Sequence, residues 1–133
     1  MKVHTSFLLA LILLGFSVQR VTAGEADQSR KLYLQYCSSC HGNDGRGDGP
    51  VAPDLKIKVP DLTLLKQRSG ASYPLDYVMS TIDGRRAVRA HGDRQMPVWG
   101  EVFREDVAKD KYKELTTLLT GKLIAEYVGT LQR

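Results

Sequence analysis

Cysteine is scarce in this chain of 133 residues: there are two, Cys37 and Cys40, beside three histidines. A structural zinc site takes four ligands, commonly two C-x-x-C pairs or a cysteine pair with a histidine pair. Only Cys37, Cys40, His41 and His91 could make such a set, and adjacent Cys40 and His41 would crowd one tetrahedron. No run of alternating β-branched residues is present, so a sheet is not expected. The same lack removes the βαβ setting that a thioredoxin-like redox pair requires and the strand that would have to precede Gly45-Arg46-Gly47 in a dinucleotide fingerprint. Asp44, Asp48 and Gly49 fail as a calcium loop, because Arg46 holds a ligand position and Leu55 stands where a bidentate glutamate belongs.

Long apolar runs are lacking too. The one candidate, Phe7 to Val18, falls well short of the roughly 20 residues that span a bilayer. It follows the basic start Met1-Lys2-Val3-His4 and precedes the small residues Val21-Thr22-Ala23, the layout of a cleaved secretory signal peptide. Residues 1–23 are therefore expected to be removed and 24–133 to form one domain, with no permanent membrane anchor. No cysteine sits near the cleavage point to carry a lipid. Charge of one sign is also lacking. Losing Lys2 and Arg20 with the leader lowers the basic count from 19 to 17, against an unchanged 15 acidic residues. So small an excess on an exported chain gives no reason to expect a nucleic-acid partner.

What is present is concentrated in Cys37-Ser38-Ser39-Cys40-His41, the C-x-x-C-H signature of c-type haem attachment. Two thiols three residues apart leave one helical face and can add to the two vinyl groups along one porphyrin edge. The adjacent imidazole can then reach the iron as proximal ligand. A redox dithiol or a Cys37–Cys40 disulfide remains the alternative use of the pair. Around this motif the spacing predicts a helix from Asp27 to Cys40, with Tyr33, Tyr36, Cys37 and Cys40 on one face. Glycines and prolines from Gly42 to Pro60 predict a long loop, and a loop of that length needs a task. A helix follows Pro74, with Leu75, Val78, Met79 and Ile82 on its apolar face and Gly84 at its end. A last helix carries Ile124, Tyr127, Val128 and Leu131, with Thr120 as its cap; Gly121 weakens any continuation back through Tyr112–Leu119.

Downstream lies Gln95-Met96-Pro97-Val98-Trp99-Gly100. With C-x-x-C-H, this M-P-x-W-G run makes the chain resemble the class I c-type cytochromes, in particular small bacterial monohaem members related to the cytochrome subunits of terminal oxidases. The resemblance covers nearly all of the chain after the leader and departs from the shortest members in the charged segment between Trp99 and Thr120. It implies an all-α cytochrome c fold of three to five helices and long loops around one covalently attached haem c. It implies His41 and Met96 as axial ligands of the iron, with His91 as the competitor for the distal place. A prolyl carbonyl is expected to accept the proximal histidine's Nδ1–H, Pro50 first and Pro53 second. Trp99 is expected beside the haem, either packing on it or donating its indole N–H to a propionate. Tyr127 is expected to pack across Tyr33, and Met79 to be core filler. Arg85, Arg86, Arg89 and Arg94 stand ready to pair with propionates or to steer an acidic partner.

With both axial positions filled there is no place for substrate. The function implied is transfer of single electrons between periplasmic or membrane-bound redox partners, an oxidase, reductase or dehydrogenase, rather than enzymatic turnover. The alternatives are an electron-accepting haem subunit of a larger periplasmic complex, and a haem-based ligand sensor, which would need an open sixth position.

Overall fold

A computed structural model describes residues 23–70, 72–86 and 96–133. Among them are six α-helices and no strand: α1 Ala23–Tyr36, α2 Ser38–His41, α3 Leu65–Ser69, α4 Leu75–Ile82, α5 Trp99–Asp106 and α6 Lys113–Thr130. Two of the six are a single turn or little more, which is how the count exceeds the expected three to five. Short 3-10 turns at Ala52–Asp54 and Leu62–Leu64 punctuate the long loop. None of the described helices is long and apolar enough to cross a membrane.

The fold is closed by α6. It packs most extensively on α1 and also against α4 and α5, so the last of the described helices covers the first. Tyr33 is fully buried at the α1–α6 crossing and its ring lies 5.0 Å from that of Tyr127. Ile124, Ala125 and Val128 of α6 join Val78 and Ile82 of α4 and Phe103 of α5 in one core with Cys37. Burial of these eight side chains is the main source of stability in a domain this small.

Two expectations are corrected here. The first helix does not run through to Cys40: it ends at Tyr36, and the chain turns at Cys37 (φ −118°, ψ −32°) before the short α2. The last helix starts at Lys113 and passes through Gly121 without interruption. Thr120 does not cap it, because its hydroxyl donates back to the Thr116 carbonyl at 2.9 Å within the helix. Burial of one face against α1, α4 and α5 outweighs the roughly 1 kcal/mol that an interior glycine costs. A Cβ placed on Gly121 would meet only Ile82 Cγ2 at 3.9 Å, an ordinary contact. Gly121→Ala is therefore expected to stabilise the protein by about 1 kcal/mol, read as a higher midpoint in thermal unfolding followed by circular dichroism.

Helix α4 and its stop agree with the sequence. Pro74 precedes it and Gly84 adopts φ +79° just beyond it. Helix α5 was not expected. Its signal was the apolar spacing of Trp99, Val102 and Phe103, obscured by the charges of Glu101, Arg104, Glu105 and Asp106.

Candidate haem site

Helix α2 builds the attachment turn. The His41 amide donates to the Cys37 carbonyl at 2.9 Å and the Gly42 amide to that of Ser38 at 2.8 Å. Both cysteines carry free thiols, with Cys37 buried and Cys40 half-buried. Burial, and next the proximity of Cys40, push the Cys37 thiol up to about 12. A catalytic redox cysteine is held the other way, as a low-pKa thiolate. Cys37 therefore lacks the electrostatics of an attacking thiol.

His41 is 8 % exposed. Burial lowers its pKa, a shift opposed in part by its bond to Pro60, and so favours the uncharged imidazole. Its Nδ1 lies 3.3 Å from the Pro60 carbonyl oxygen. A carbonyl can only accept, so the proton sits on Nδ1 and the lone pair on Nε2, the tautomer that a metal ligand needs. The acceptor is thus Pro60, not the expected Pro50 or the fallback Pro53. Pro50 is exposed, and Pro53 lies in the 3-10 turn Ala52–Asp54. Three prolines in one loop were equivalent in sequence, and only the return of residues 59–62 along the Gly42–Gly49 stretch tells them apart.

That return is tight. The Gly47 amide donates to the His41 carbonyl at 2.9 Å and the Leu62 amide to that of Gly45 at 2.7 Å. Gly47 adopts φ +79°, and a Cβ there would stand 2.5 Å from the Val59 carbonyl oxygen. A Cβ on Gly49 would likewise collide with the Ser39 carbonyl oxygen. From α1 the buried Tyr33 hydroxyl donates to the Gly42 carbonyl at 2.7 Å, and loss of hydration raises its pKa. The long loop is wound closely around the attachment turn.

Met96, expected on the distal side, is half-buried and packs against the core cluster that contains Cys37. His91, Arg89 and Arg94 lie outside the described residues. Trp99 begins α5 three residues after Met96. Its ring packs edge-on against Tyr36, with centroids 5.6 Å apart, and stacks on Phe103 at 6.2 Å. Tyr36, the residue before Cys37, also donates from its hydroxyl to Asp106 at 2.8 Å. These contacts, which the sequence did not disclose, tie the attachment turn to the helix that follows Met96. Met79 also packs on the core, as expected of filler. Arg85 bonds Asp83 at 2.6 Å, and the Arg86 guanidinium lies 4.6 Å from the Tyr77 ring centre.

The donor set fits haem. Among the described residues no three histidine, cysteine or acidic side chains converge as an ion cage. The arrangement instead combines two unpaired thiols one helical turn apart, a buried imidazole with Nδ1 against the Pro60 carbonyl, and a thioether packed on the core that contains Cys37. The residues that would hold the group are Cys37 and Cys40 through sulfur, with His41 and Met96 toward iron.

Comparison with known proteins agrees. A family described as cytochrome c oxidase, cbb3-type, subunit III matches residues 24–110, a span that includes Cys37 to His41 and Met96 and stops before α6. No curated protein and no solved structure gives a match. The chain belongs to the cbb3-type cytochrome c oxidase subunit III family, and is a haem-binding c-type cytochrome domain with an electron-transfer role.

Proposed function

We propose that the chain is an exported monohaem electron carrier, with haem c joined to Cys37 and Cys40 and its iron held between His41 and Met96. Residues 1–23 act as a cleaved signal peptide, and the 24–133 domain works in the periplasm between an oxidase, reductase or dehydrogenase and its electron donor. The observation that carries this reading is the buried His41 of the C-x-x-C-H turn, with its Nδ1 3.3 Å from the Pro60 carbonyl oxygen. When bound, the haem supplies a one-electron couple. The chain's own residues do the rest. Pro60 fixes the imidazole tautomer, the core shields the site from water, and Pro97 keeps the Met96 segment extended. A filled coordination sphere suits rapid electron exchange and leaves no place for substrate.

Exported from a host able to mature c-type cytochromes, the protein is expected to purify red and to keep its haem through acid–acetone extraction. Its reduced form should not bind carbon monoxide at neutral pH. A colourless product, or haem lost on extraction, overturns the assignment, and ready carbon monoxide binding favours a sensor.

A second reading, a haem subunit fixed within a larger oxidoreductase, is favoured by the surface of α6. Tyr112, just before the helix, is exposed, as are Leu115, Leu118 and Leu119 within it. These large apolar groups follow one another at helical spacing, a feature of docking faces, and the matched family is named for an oxidase subunit. Gel filtration of native extract separates the two readings, because a lone peak at the monomer mass excludes a fixed complex.

A further inference from the structure

The proximal carbonyl has a second support, built from residues that follow α6. The Pro60 C=O belongs to the planar peptide unit that ends at Asp61, so its direction cannot change without moving Asp61. Asp61 is held firmly. Its carboxylate accepts from the Thr63 amide at 2.9 Å and the Thr63 hydroxyl at 2.6 Å, and it pairs with the Arg133 guanidinium at 3.0 Å. Arg133 also donates from Nε to the Thr63 hydroxyl oxygen at 2.9 Å and from its amide to the Thr63 carbonyl at 3.1 Å. Gln132 binds the next stretch at both ends. Its Nε2 donates to the Leu62 carbonyl and to the Val128 carbonyl, each at 2.8 Å, while its Oε1 accepts from the Lys66 amide at 2.8 Å. Residues 61–66 are thereby fastened to the end of α6 by side chains beyond the matched span of 24–110.

We infer that Gln132 and Arg133 are positioning residues for the haem iron: by fastening Asp61–Lys66 they aim the Pro60 carbonyl at His41 Nδ1–H and so tune the proximal ligand. The inference rests on the haem reading above. A donated Nδ1 proton raises the basicity of the imidazole, and a more basic ligand favours ferric over ferrous iron. The Nδ1···O distance of 3.3 Å is already at the long end for such a bond. It is therefore sensitive to small rotations of the 60–61 peptide. Loosening the fastening weakens donation from Nδ1 and moves the reduction potential upward.

The test uses the full haem-loaded chain carrying Gln132→Ala with Arg133→Ala, Arg133→Ala alone, and Arg133→Lys. Potentials are read by spectroelectrochemical titration, and the His41 Nδ1 proton by NMR of the ferrous protein. The double variant is expected to show a more positive potential and faster solvent exchange of the Nδ1 proton. Arg133→Ala should show a smaller shift in the same direction, and Arg133→Lys, which keeps the charge opposite Asp61, should stay near the unsubstituted value. Should the double variant fail to fold, Arg133→Ala carries the comparison, since it keeps the Gln132 bonds. A lower melting temperature with potential and Nδ1 proton unmoved overturns the inference and leaves the pair a purely structural fastening. A colourless unsubstituted protein overturns the haem reading instead.

Discussion

Met96→Ala is expected to give the largest functional change of any single substitution: a much lower reduction potential and a ferrous protein that binds carbon monoxide. Thioether sulfur stabilises ferrous iron, and axial ligand identity accounts for much of the roughly 0.8 V range over which haem proteins are tuned. The fold should survive. Met96 is half-buried at the edge of the core, so its truncation costs about 1–2 kcal/mol, below the ~2–5 kcal/mol of a fully enclosed methionine. Met79→Ala is the matched control, since Met79 also packs on the core and is expected only to fill it. It should lower stability by a similar amount and leave the potential near its original value. Redox titration and reduced-plus-carbon-monoxide difference spectra read both. A potential unchanged in Met96→Ala would remove the methionine from the iron and bring His91 forward as distal ligand.

Gly47→Ala is expected to cause the largest loss of stability. The backbone there is left-handed at φ +79°, which costs a residue with a Cβ about 1–2 kcal/mol. The new methyl would also stand 2.5 Å from the Val59 carbonyl oxygen and 3.1 Å from its carbon, and backbone cannot yield as a side-chain tip can. Overpacking of this kind adds about 1–3 kcal/mol. A total of about 3 kcal/mol corresponds to a fall of roughly 10–20 °C in the melting temperature of a domain this size. Because the Gly47 amide also holds the His41 carbonyl, the spectrum of the haem-loaded variant should change as well. Gly70→Ala is the comparison: Gly70 also has positive φ, at +93°, but nothing lies within 4 Å of its Cβ position. It should lose only the conformational share. Equal losses in the two variants would show that the packing of the loop on Val59 contributes nothing.

How much of this was legible beforehand depends on the range of the interaction that decides each feature. Cys37, Cys40 and His41 could be picked out directly, because the proposed attachment at two sulfurs and ligation by the next residue demand a spacing that is visible in the sequence itself. The stop at Gly84 and the irregular stretch from Gly42 to Pro60 could be read for a similar reason: they depend on backbone conformations set by one or two residues. Helix continuity was less accessible. The apolar spacing of α1 continues past the turn at Cys37, so periodicity alone carried the helix too far. At Gly121 the local penalty argued for a break, and burial against Ile82 and its neighbours overrode it. The histidine's acceptor was not legible at all. Pro50, Pro53 and Pro60 offer identical carbonyls, and the choice among them is made by Gly47 passing under Val59 and by Gln132 and Arg133 reaching back to residues 61–66. Those contacts join positions about seventy apart in the chain. The aromatic contact of Trp99 with Tyr36 belongs to the same class.

The pairing of α1 with α6 has a consequence for how the protein comes into being. Every chain grows from its amino terminus, so both sulfurs and the imidazole exist before the residues that will enclose Tyr33 have been added. Enclosure therefore has to wait for α6, whose meeting with α1 joins residues about ninety apart and is slow compared with local helix formation. Newly made molecules thus pass through an interval in which the face of α1 that carries Tyr33 is not yet covered by α6.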